Sequence, residues 1–269
     1  MKKQKDNHII KQKTEVLKDK QKEILILIYR YRFLNREQIQ TLLQHKHHNR
    51  IIIWLNELID KKYLISYYTK SMYSTPALYS LGSQGRKYFR MYAKQYKIHV
   101  SLLDRVWHEK HTSFEFKNRL QFLGDVYLSL ISLTRKTDAT LTFYTPVDLH
   151  GMHNLPKPLP DGFFSITEKT GATKRFFLVI LKPFLQNEEM AKQVLLYFSY
   201  YQKGIWQQNN LHSFPEIIVI CPDLKTKRFL TGVIKNNLKK EPNLSFLLVT
   251  QKTIRKQGIN KNVLEKVTI

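Results

Sequence analysis

Residues 175–181 read RFFLVIL, a run that is apolar at every position after the first. Such a run is typical of a strand that is buried on both faces of a sheet. The turn EKTG at residues 168–171 joins it to a second strand candidate at residues 162–167, and the pair predicts a hairpin. A third strand candidate, residues 140–145, precedes the pair. These strands predict the central sheet of a domain.

Helical and strand patterns alternate outward from this hairpin. Before it, residues 107–133 have the apolar spacing of one long helix. After it, the predicted elements are a helix (188–205), a strand (215–221), a helix (226–238) and a strand (244–249). We therefore predict an α/β (α+β) domain over residues 104–269. Its order resembles the restriction-endonuclease-like (PD-(D/E)xK-type) core, in which a helix crosses from the hairpin to a parallel strand.

The stretch LPDGFF at residues 159–164 places an acid at the start of the hairpin, and a lysine follows the second strand. In nucleases with that core, an Asp and an acid-x-Lys at these places hold a divalent metal beside the scissile phosphate. Asp161 and Lys182 match that pattern. The resemblance implies that Asp161 is a metal ligand and Lys182 stabilises developing charge, with Mg²⁺ or Mn²⁺ as the cofactor.

Ile180 stands where the acid of the acid-x-Lys pair belongs, and a hydrocarbon side chain cannot ligate a metal. We favour a site that has lost its metal, for which no cofactor is expected. In the alternative, Glu115 on the long helix or Glu168 in the hairpin turn supplies the missing carboxylate, and the site is catalytic. Asp161 and Gly162 can also be read simply as a turn that leads into a hairpin.

Residues 18–98 predict a separate N-terminal domain. The spacing predicts helices at residues 18–31 and 36–43, and Asn35 and Gln38 have the form of a reciprocal cap at the start of the second. A third helix follows residues 45–50, with Ile51, Leu55, Leu58 and Ile59 on one face. The resulting order is helix, helix, turn, helix.

Two β-rich runs, residues 63–68 and 76–81, flank a polar loop that contains Lys70 and predict a hairpin. Residues 82–85 predict an exit turn, and residues 86–96 resume helical spacing. The whole order resembles winged helix-turn-helix domains, in which the third helix enters the major groove and the hairpin flanks it. Modules of this shape also serve as protein-docking domains, which is the alternative.

The charge of the chain favours nucleic acid as the partner. Lys and Arg number 45 against 21 Asp and Glu, a formal net charge of +24, and such an excess favours association with phosphates. A membrane surface would attract the same charge, but the basic residues are spread along the chain. We expect double-stranded DNA to be contacted by Arg36, Lys46, His47, His48, Asn49, Arg50 and Lys70, with Asn49 and Arg50 suited to base edges.

Several other groups of residues can be interpreted either as a reactive or metal-binding site or as part of the structure. His45, His47 and His48 could hold a metal, but we favour solvated donors. His108 and His111 are expected on one face of the long helix, as packed or capping residues. Three tyrosines on one predicted helix could act as nucleophiles, but we favour a core or stacking role; they are Tyr197, Tyr200 and Tyr201.

The remaining sequence features predict a cytoplasmic protein. Cys221 is the single cysteine, so neither a disulfide within the chain nor a cysteine-based zinc site can form. Residues 1–17 are basic, lack the apolar stretch of a secretory signal, and are expected to be mobile.

The stretches FLNREQI at residues 33–39 and YSLGSQG at residues 79–85, with His108, His111 and the Pro-Asp-Gly that ends at residue 162, resemble the replication-relaxation family. That family occurs on plasmids and integrative elements and is related to the C-class mobilisation relaxases. The resemblance implies DNA binding at an origin, with replication or conjugation proteins, or a second copy of the chain, as further partners. Three functions remain open: a DNA-binding protein of a mobile element, an active metal-dependent nicking relaxase, and a winged-helix transcriptional regulator.

Overall fold

The computed structural model describes residues 17–68, 76–260 and 262–269. Lys70 and the first sixteen residues of the predicted mobile N-terminus lie outside them, whereas Leu17 is buried in the core. The helices are α1 (Asp19–Tyr31), α2 (Arg36–Leu42), α3 (His48–Asp60), α4 (Ser83–Met91), α5 (Val100–His108), a 3-10 helix (Glu109–His111), α6 (Phe114–Thr137), α7 (Asn187–Gln202), α8 (Ile205–Asn209), α9 (Leu224–Leu238) and α10 (Gln251–Gln257). The strands are β1 (Leu34–Asn35), β2 (Leu64–Tyr67), β3 (Leu78–Leu81), β4 (Thr140–Tyr144), β5 (Gly162–Thr167), β6 (Thr173–Ile180), β7 (Glu216–Cys221), β8 (Phe246–Thr250) and β9 (Glu265–Lys266).

The N-terminal part has the predicted order of three helices followed by two antiparallel strands. β1 joins them to give a three-stranded sheet in the order β1-β3-β2. The reciprocal cap of α2 is confirmed: the backbone N–H of Gln38 donates to Asn35 Oδ1 at 2.8 Å, and that of Asn35 donates to Gln38 Oε1 at 3.0 Å. Local spacing alone was therefore sufficient to locate the start of α2.

The exit turn predicted at residues 82–85 is wrong, because α4 begins at Ser83. Gly82 is its N-cap, and Gly85 lies inside the helix. A Cβ atom at Gly85 would sit 2.5 Å from the carbonyl oxygen of Tyr63. The glycine is thus explained by the close packing of α4 on the chain that leads into β2.

The single long helix predicted at residues 107–133 is also wrong. α5 ends at His108, the 3-10 helix follows, and α6 starts only at Phe114. Ser113 is the N-cap of α6, and its hydroxyl accepts a hydrogen bond from the backbone N–H of Phe116 at 3.2 Å. A Ser at this place favours starting a new helix over continuing an old one. His108 and His111 therefore belong to two short elements and share no helix face.

The C-terminal part is built on a six-stranded mixed sheet in the order β4-β5-β6-β7-β8-β9. The first three strands are antiparallel, β6, β7 and β8 are parallel, and β9 returns antiparallel. The parallel connections run through α7 and α9, which confirms the predicted alternation. Gly204, in a left-handed conformation with φ of 65°, separates α7 from α8, so the helix predicted at 188–205 is shorter.

Two apolar clusters cover the two faces of this sheet. One contains buried residues of α7 and α9, including Tyr197 and Tyr200, which confirms their predicted core role. The other extends from the sheet across α6 to α1 and α3. The N-terminal helices and the sheet therefore share one core through α6.

In the part of the chain that the structure describes, no helix combines the length and the apolar composition needed to cross a membrane.

Candidate functional site

A cleft of about 480 Å³ opens where β5 begins and β6 ends, and two of the predicted catalytic residues, Asp161 and Lys182, line it. Asp161 immediately precedes β5, and Lys182 follows β6 by two residues. The antiparallel register sets Gly162 opposite Leu178, which brings Asp161 close to the end of β6. The other walls come from the end of α1, from α5, the 3-10 helix and α6, and from the loop before β5.

Asp161 is held by two donors of the protein itself. One carboxylate oxygen accepts the backbone N–H of Ile180 at 2.7 Å, and the other lies 3.1 Å from Nη1 of Arg119. Burial raises the pKa of the Asp161 carboxyl, and the positive charge of Arg119 opposes this without cancelling it. Its side chain is 24% exposed. The carboxylate therefore pins the start of β5 to the end of β6.

A second ion pair lies in the same cleft. Arg32 at the end of α1 contacts Glu109 of the 3-10 helix, and both side chains are almost fully buried. Burial, and then the positive charges of Arg105 and Arg119, lower the pKa of Arg32 to about 9. The guanidinium groups of Arg105 and Arg119 are thus close enough to that of Arg32 to repel it.

The donor set of this cleft does not fit a divalent metal. The Ile180 side chain is buried and offers no oxygen, its backbone N–H is bound to Asp161, and its carbonyl oxygen lies 3.5 Å from Nη1 of Arg119. Glu109 is neutralised by Arg32, and Asp161 is engaged by Arg119. A hard cation needs several free oxygen ligands, and here it would meet guanidinium groups. Among the described residues, no group of three His, Cys, Asp or Glu side chains could hold a metal ion.

Neither of the proposed substitute carboxylates reaches the cleft. Glu115 is exposed in the first turn of α6, where its own backbone N–H and Ser113 lower its pKa, so it helps to cap that helix. Glu168 lies beyond the far end of β5, roughly 20 Å from Asp161 at the rise of an extended strand. The hypothesis that Glu115 or Glu168 completes the metal site is therefore wrong, because neither lines the cleft.

The second candidate surface is the exposed face of α3. The helix buries Ile51, Trp54, Leu55 and Leu58 against the N-terminal core. Its opposite side exposes Asn49, Arg50, Ile53 and Asn56, which recur at helical spacing. Lys46, His47 and His48 are exposed just before and at its first turn. Of the predicted DNA contacts that the structure describes, all but Arg36 thus lie on or just before the exposed side of α3, and Lys70 lies outside the described residues.

Two further features favour an anion at this end of α3. The N-cap residue His47 makes no side-chain capping bond, so the first backbone N–H groups of the helix point outward without that partner. The acidic Glu57 is tied to α1, by Lys18 at 3.0 Å and by Nε2 of Gln21 at 2.6 Å. The negative charge of the Glu57 carboxylate is therefore compensated within the protein by Lys18.

Arg36, a predicted DNA contact, and His45, one of the three candidate metal-binding histidines, have surroundings different from those of the residues on the exposed face of α3. Arg36 is the first residue of α2, is partly buried, and lies near Tyr79 of β3. His45 packs edge-on against Trp54, with ring centroids 5.0 Å apart, and its Nδ1 accepts the backbone N–H of His47 at 3.2 Å. This structural role of His45 weighs against a metal held by the three histidines.

Sequence reasoning missed most of the cleft. Arg32, Arg105, Arg119, Glu109 and Lys157 line it and were not singled out. The one local signal was Arg30 and Arg32, which follow the apolar run ILILI at residues 24–28.

No family model, curated protein or solved structure matches the chain. The resemblance to the replication-relaxation family therefore stays a prediction. Function is argued below from the two surfaces.

Proposed function

We propose that this chain is a DNA-binding protein of a plasmid or integrative element, of the replication-relaxation type, that acts in replication or mobilisation. In this proposal the N-terminal part is a winged helix-turn-helix domain. The C-terminal part is a restriction-endonuclease-like domain that has lost its metal site. The exposed face of α3 is the observation that carries the proposal.

α3 has the dimensions and chemistry of a recognition helix. Its 13 residues span about 20 Å, and an α-helix fits the major groove of B-DNA. Asn49 and Arg50 offer the donors that suit adenine and guanine edges. Ile53, 46% exposed in the middle of the same face, suits the methyl group of thymine.

The charge of the chain supports DNA over a protein partner for this face. The net charge of +24 gives a long-range attraction to phosphates. A docking surface for another protein would be expected to have a central apolar patch with aromatic residues. On the exposed face of α3, Ile53 is instead flanked by Asn49, Arg50 and Asn56.

The test starts from a random library of DNA duplexes, from which the full chain selects its preferred site. Gel-shift titrations then compare the selected duplex with a scrambled one. Arg50→Ala should weaken binding to the selected duplex about 5- to 150-fold and affect the scrambled duplex much less, since a lost base contact costs about 1–3 kcal/mol. Lys46→Ala should weaken both equally and reduce the salt slope by about one.

Arg228→Ala is the matched control, because Arg228 is exposed on α9, away from α3. Equal losses in the Arg50 and Arg228 variants would remove α3 as the recognition helix. Failure to select any duplex would favour the protein-docking alternative. A selected site at a promoter, in place of an origin, would make the chain a transcriptional regulator.

A further inference from the structure

The cleft beside Asp161 contains more positive charge than its carboxylates can balance. Six cationic side chains line it, namely Arg30, Arg32, Arg105, Arg119, Lys157 and Lys182, against the two carboxylates of Glu109 and Asp161. Three of the six are paired: Arg30 with Asp148, Arg32 with Glu109, and Arg119 with Asp161. No carboxylate among the described residues pairs with Arg105, Lys157 or Lys182.

The surplus charge affects its neighbours. Burial, followed by Arg105 and Arg119, lowers the pKa of Arg32. Burial also lowers the pKa of His150, which lines the cleft, and the charges of His99, Arg105 and Lys157 add to that effect. Nε of Arg119 is buried without a hydrogen-bond partner among the described residues. Repulsion of this kind is relieved when an anion binds.

We propose that this cleft is a binding site for a phosphate group, contacted by Lys182 and Arg105 and backed by Arg119 and Arg32. The arginine fork matches phosphate oxygens in a bidentate way, and lysine adds a point charge. Asp161 serves in this site as a positioning residue, because it holds Arg119 and the end of β6 in place. The position agrees with the rule that ligands of α/β sheets bind outside the carboxyl ends of parallel strands.

The size of the cleft limits which phosphate-bearing molecules can bind in it. A volume of about 480 Å³ falls within the range of small-molecule sites. A mononucleotide or the phosphorylated end of one DNA strand fits this space, whereas a duplex is far too wide. The shared chemistry is therefore a phosphate monoester on a nucleotide, from either source. This inference goes beyond the binding of duplex DNA by α3 and does not depend on it.

The probes are thymidine 5′-monophosphate and thymidine, titrated calorimetrically into the full chain at low salt. We expect the monophosphate to bind and thymidine to give no signal. Arg105→Ala and Lys182→Gln should each weaken the monophosphate about tenfold or more. Arg105 is exposed and Lys182 is half-buried, so both variants should fold.

Matched controls are Arg228→Ala and Lys225→Gln, which remove the same charges from exposed positions on α9. They should leave the affinity for the monophosphate unchanged. Equal losses in cleft and control variants, or equal binding of thymidine and its monophosphate, would overturn the proposal. Absence of binding by both the monophosphate and the oligonucleotides described next would overturn it as well.

A second titration identifies the source of the phosphate. Single-stranded oligonucleotides of four thymidines, with and without a 5′-phosphate, are compared with the mononucleotide. Tighter binding of the phosphorylated oligonucleotide than of the mononucleotide assigns the site to a strand end, and equal binding assigns it to a free nucleotide; either result supports the site.

The phosphate site and the binding of duplex DNA through α3 can be tested independently of each other. Lys182→Gln should lose the monophosphate and keep the duplex selected through α3, whereas Arg50→Ala should do the reverse. A loss of both ligands in both variants would point to general misfolding, which a thermal-unfolding curve of each variant detects.

Discussion

The backbone N–H of Ile180 donates to the carboxylate of Asp161 at 2.7 Å. The nuclease pattern that the sequence resembles requires an acid at position 180, which would share a metal with Asp161. The residue present there contributes its main chain instead, and Arg119 occupies the other carboxylate oxygen. Asp161 is therefore a link between β5, β6 and α6, and the cation beside it is an arginine of the protein.

Removal of this link should destabilise the protein. Asp161→Ala leaves the N–H of Ile180 and the guanidinium of Arg119 without their partner, which we expect to lower the free energy of unfolding by about 1–3 kcal/mol. Asp161→Asn keeps an acceptor for Ile180 and should cost less. Urea unfolding of the two variants at pH 7 measures both values, and a smaller loss in the Ala variant than in the Asn variant would contradict the link.

The raised pKa of Asp161 predicts a pH dependence with a definite sign. Between the unfolded value of 3.8 and the higher folded value, the folded state binds more protons than the unfolded state. Wild-type protein should therefore lose stability relative to Asp161→Asn as the pH rises through that window, and the difference should level off above it. Urea unfolding from pH 4 to pH 7 tests this, with the exposed Asp60→Asn as control. The opposite slope would mean that Arg119 outweighs burial.

Gln38 should be a stability hot spot of the N-terminal part. It caps α2 and also donates through Nε2 to the carbonyl of Gln121 and to Asp125 Oδ1, at 3.0 and 2.6 Å. Gln38→Ala removes the Gln38 half of the reciprocal cap, while the bond from the backbone N–H of residue 38 to Asn35 remains, and it leaves acceptors on α6 without their donor, so we expect a loss of roughly 2 kcal/mol. Gln38→Glu should also destabilise, because it brings a second carboxylate to Asp125. Gln208→Ala, at an exposed helical position, is the control in the same thermal-unfolding series.

Ile53 offers a way to separate DNA binding from folding. Its side chain lies on the exposed face of α3, so Ile53→Glu should leave the melting temperature within a few degrees of wild type. A negative charge in the middle of the proposed groove contact should reduce duplex affinity at least tenfold. Phe229→Glu, on the exposed side of α9, is the matched control. Unchanged duplex binding by the Ile53 variant would place the DNA elsewhere.

A plasmid relaxation assay with Mg²⁺, Mn²⁺ or EDTA tests the lost metal site. We expect the chain to bind supercoiled DNA and not to nick it, because the cleft offers guanidinium groups where a divalent ion needs free oxygen ligands. Metal-dependent nicking that Asp161→Asn abolishes would restore the relaxase hypothesis. That result would also contradict the phosphate site as described.

The elements that sequence reasoning located are those whose signal is local. The run at residues 175–181 predicted β6, which pairs with β5 and β7, because a short continuous apolar run between turn residues is typical of a strand covered on both faces. Asn35 and Gln38 marked the start of α2, because the hydrogen bonds of this cap join residues only three positions apart in the sequence. The charge, the alternation of helices and strands, and the polar start of α3 were likewise readable without coordinates.

Tertiary structure decided the remainder, because it depends on residues that are distant in sequence. The two residues of β9 become a strand only by pairing with β8, and Leu17 is buried only by the core that it joins. The cleft is the strongest case. Arg32, Arg105 and Arg119 come from three helices, and no spacing along the chain relates them. The sequence determined that the protein is strongly basic. The packing of α1, α5 and α6 at the end of β6 decided that several of these charges line one cleft, since such a cluster arises only from side chains brought together in space.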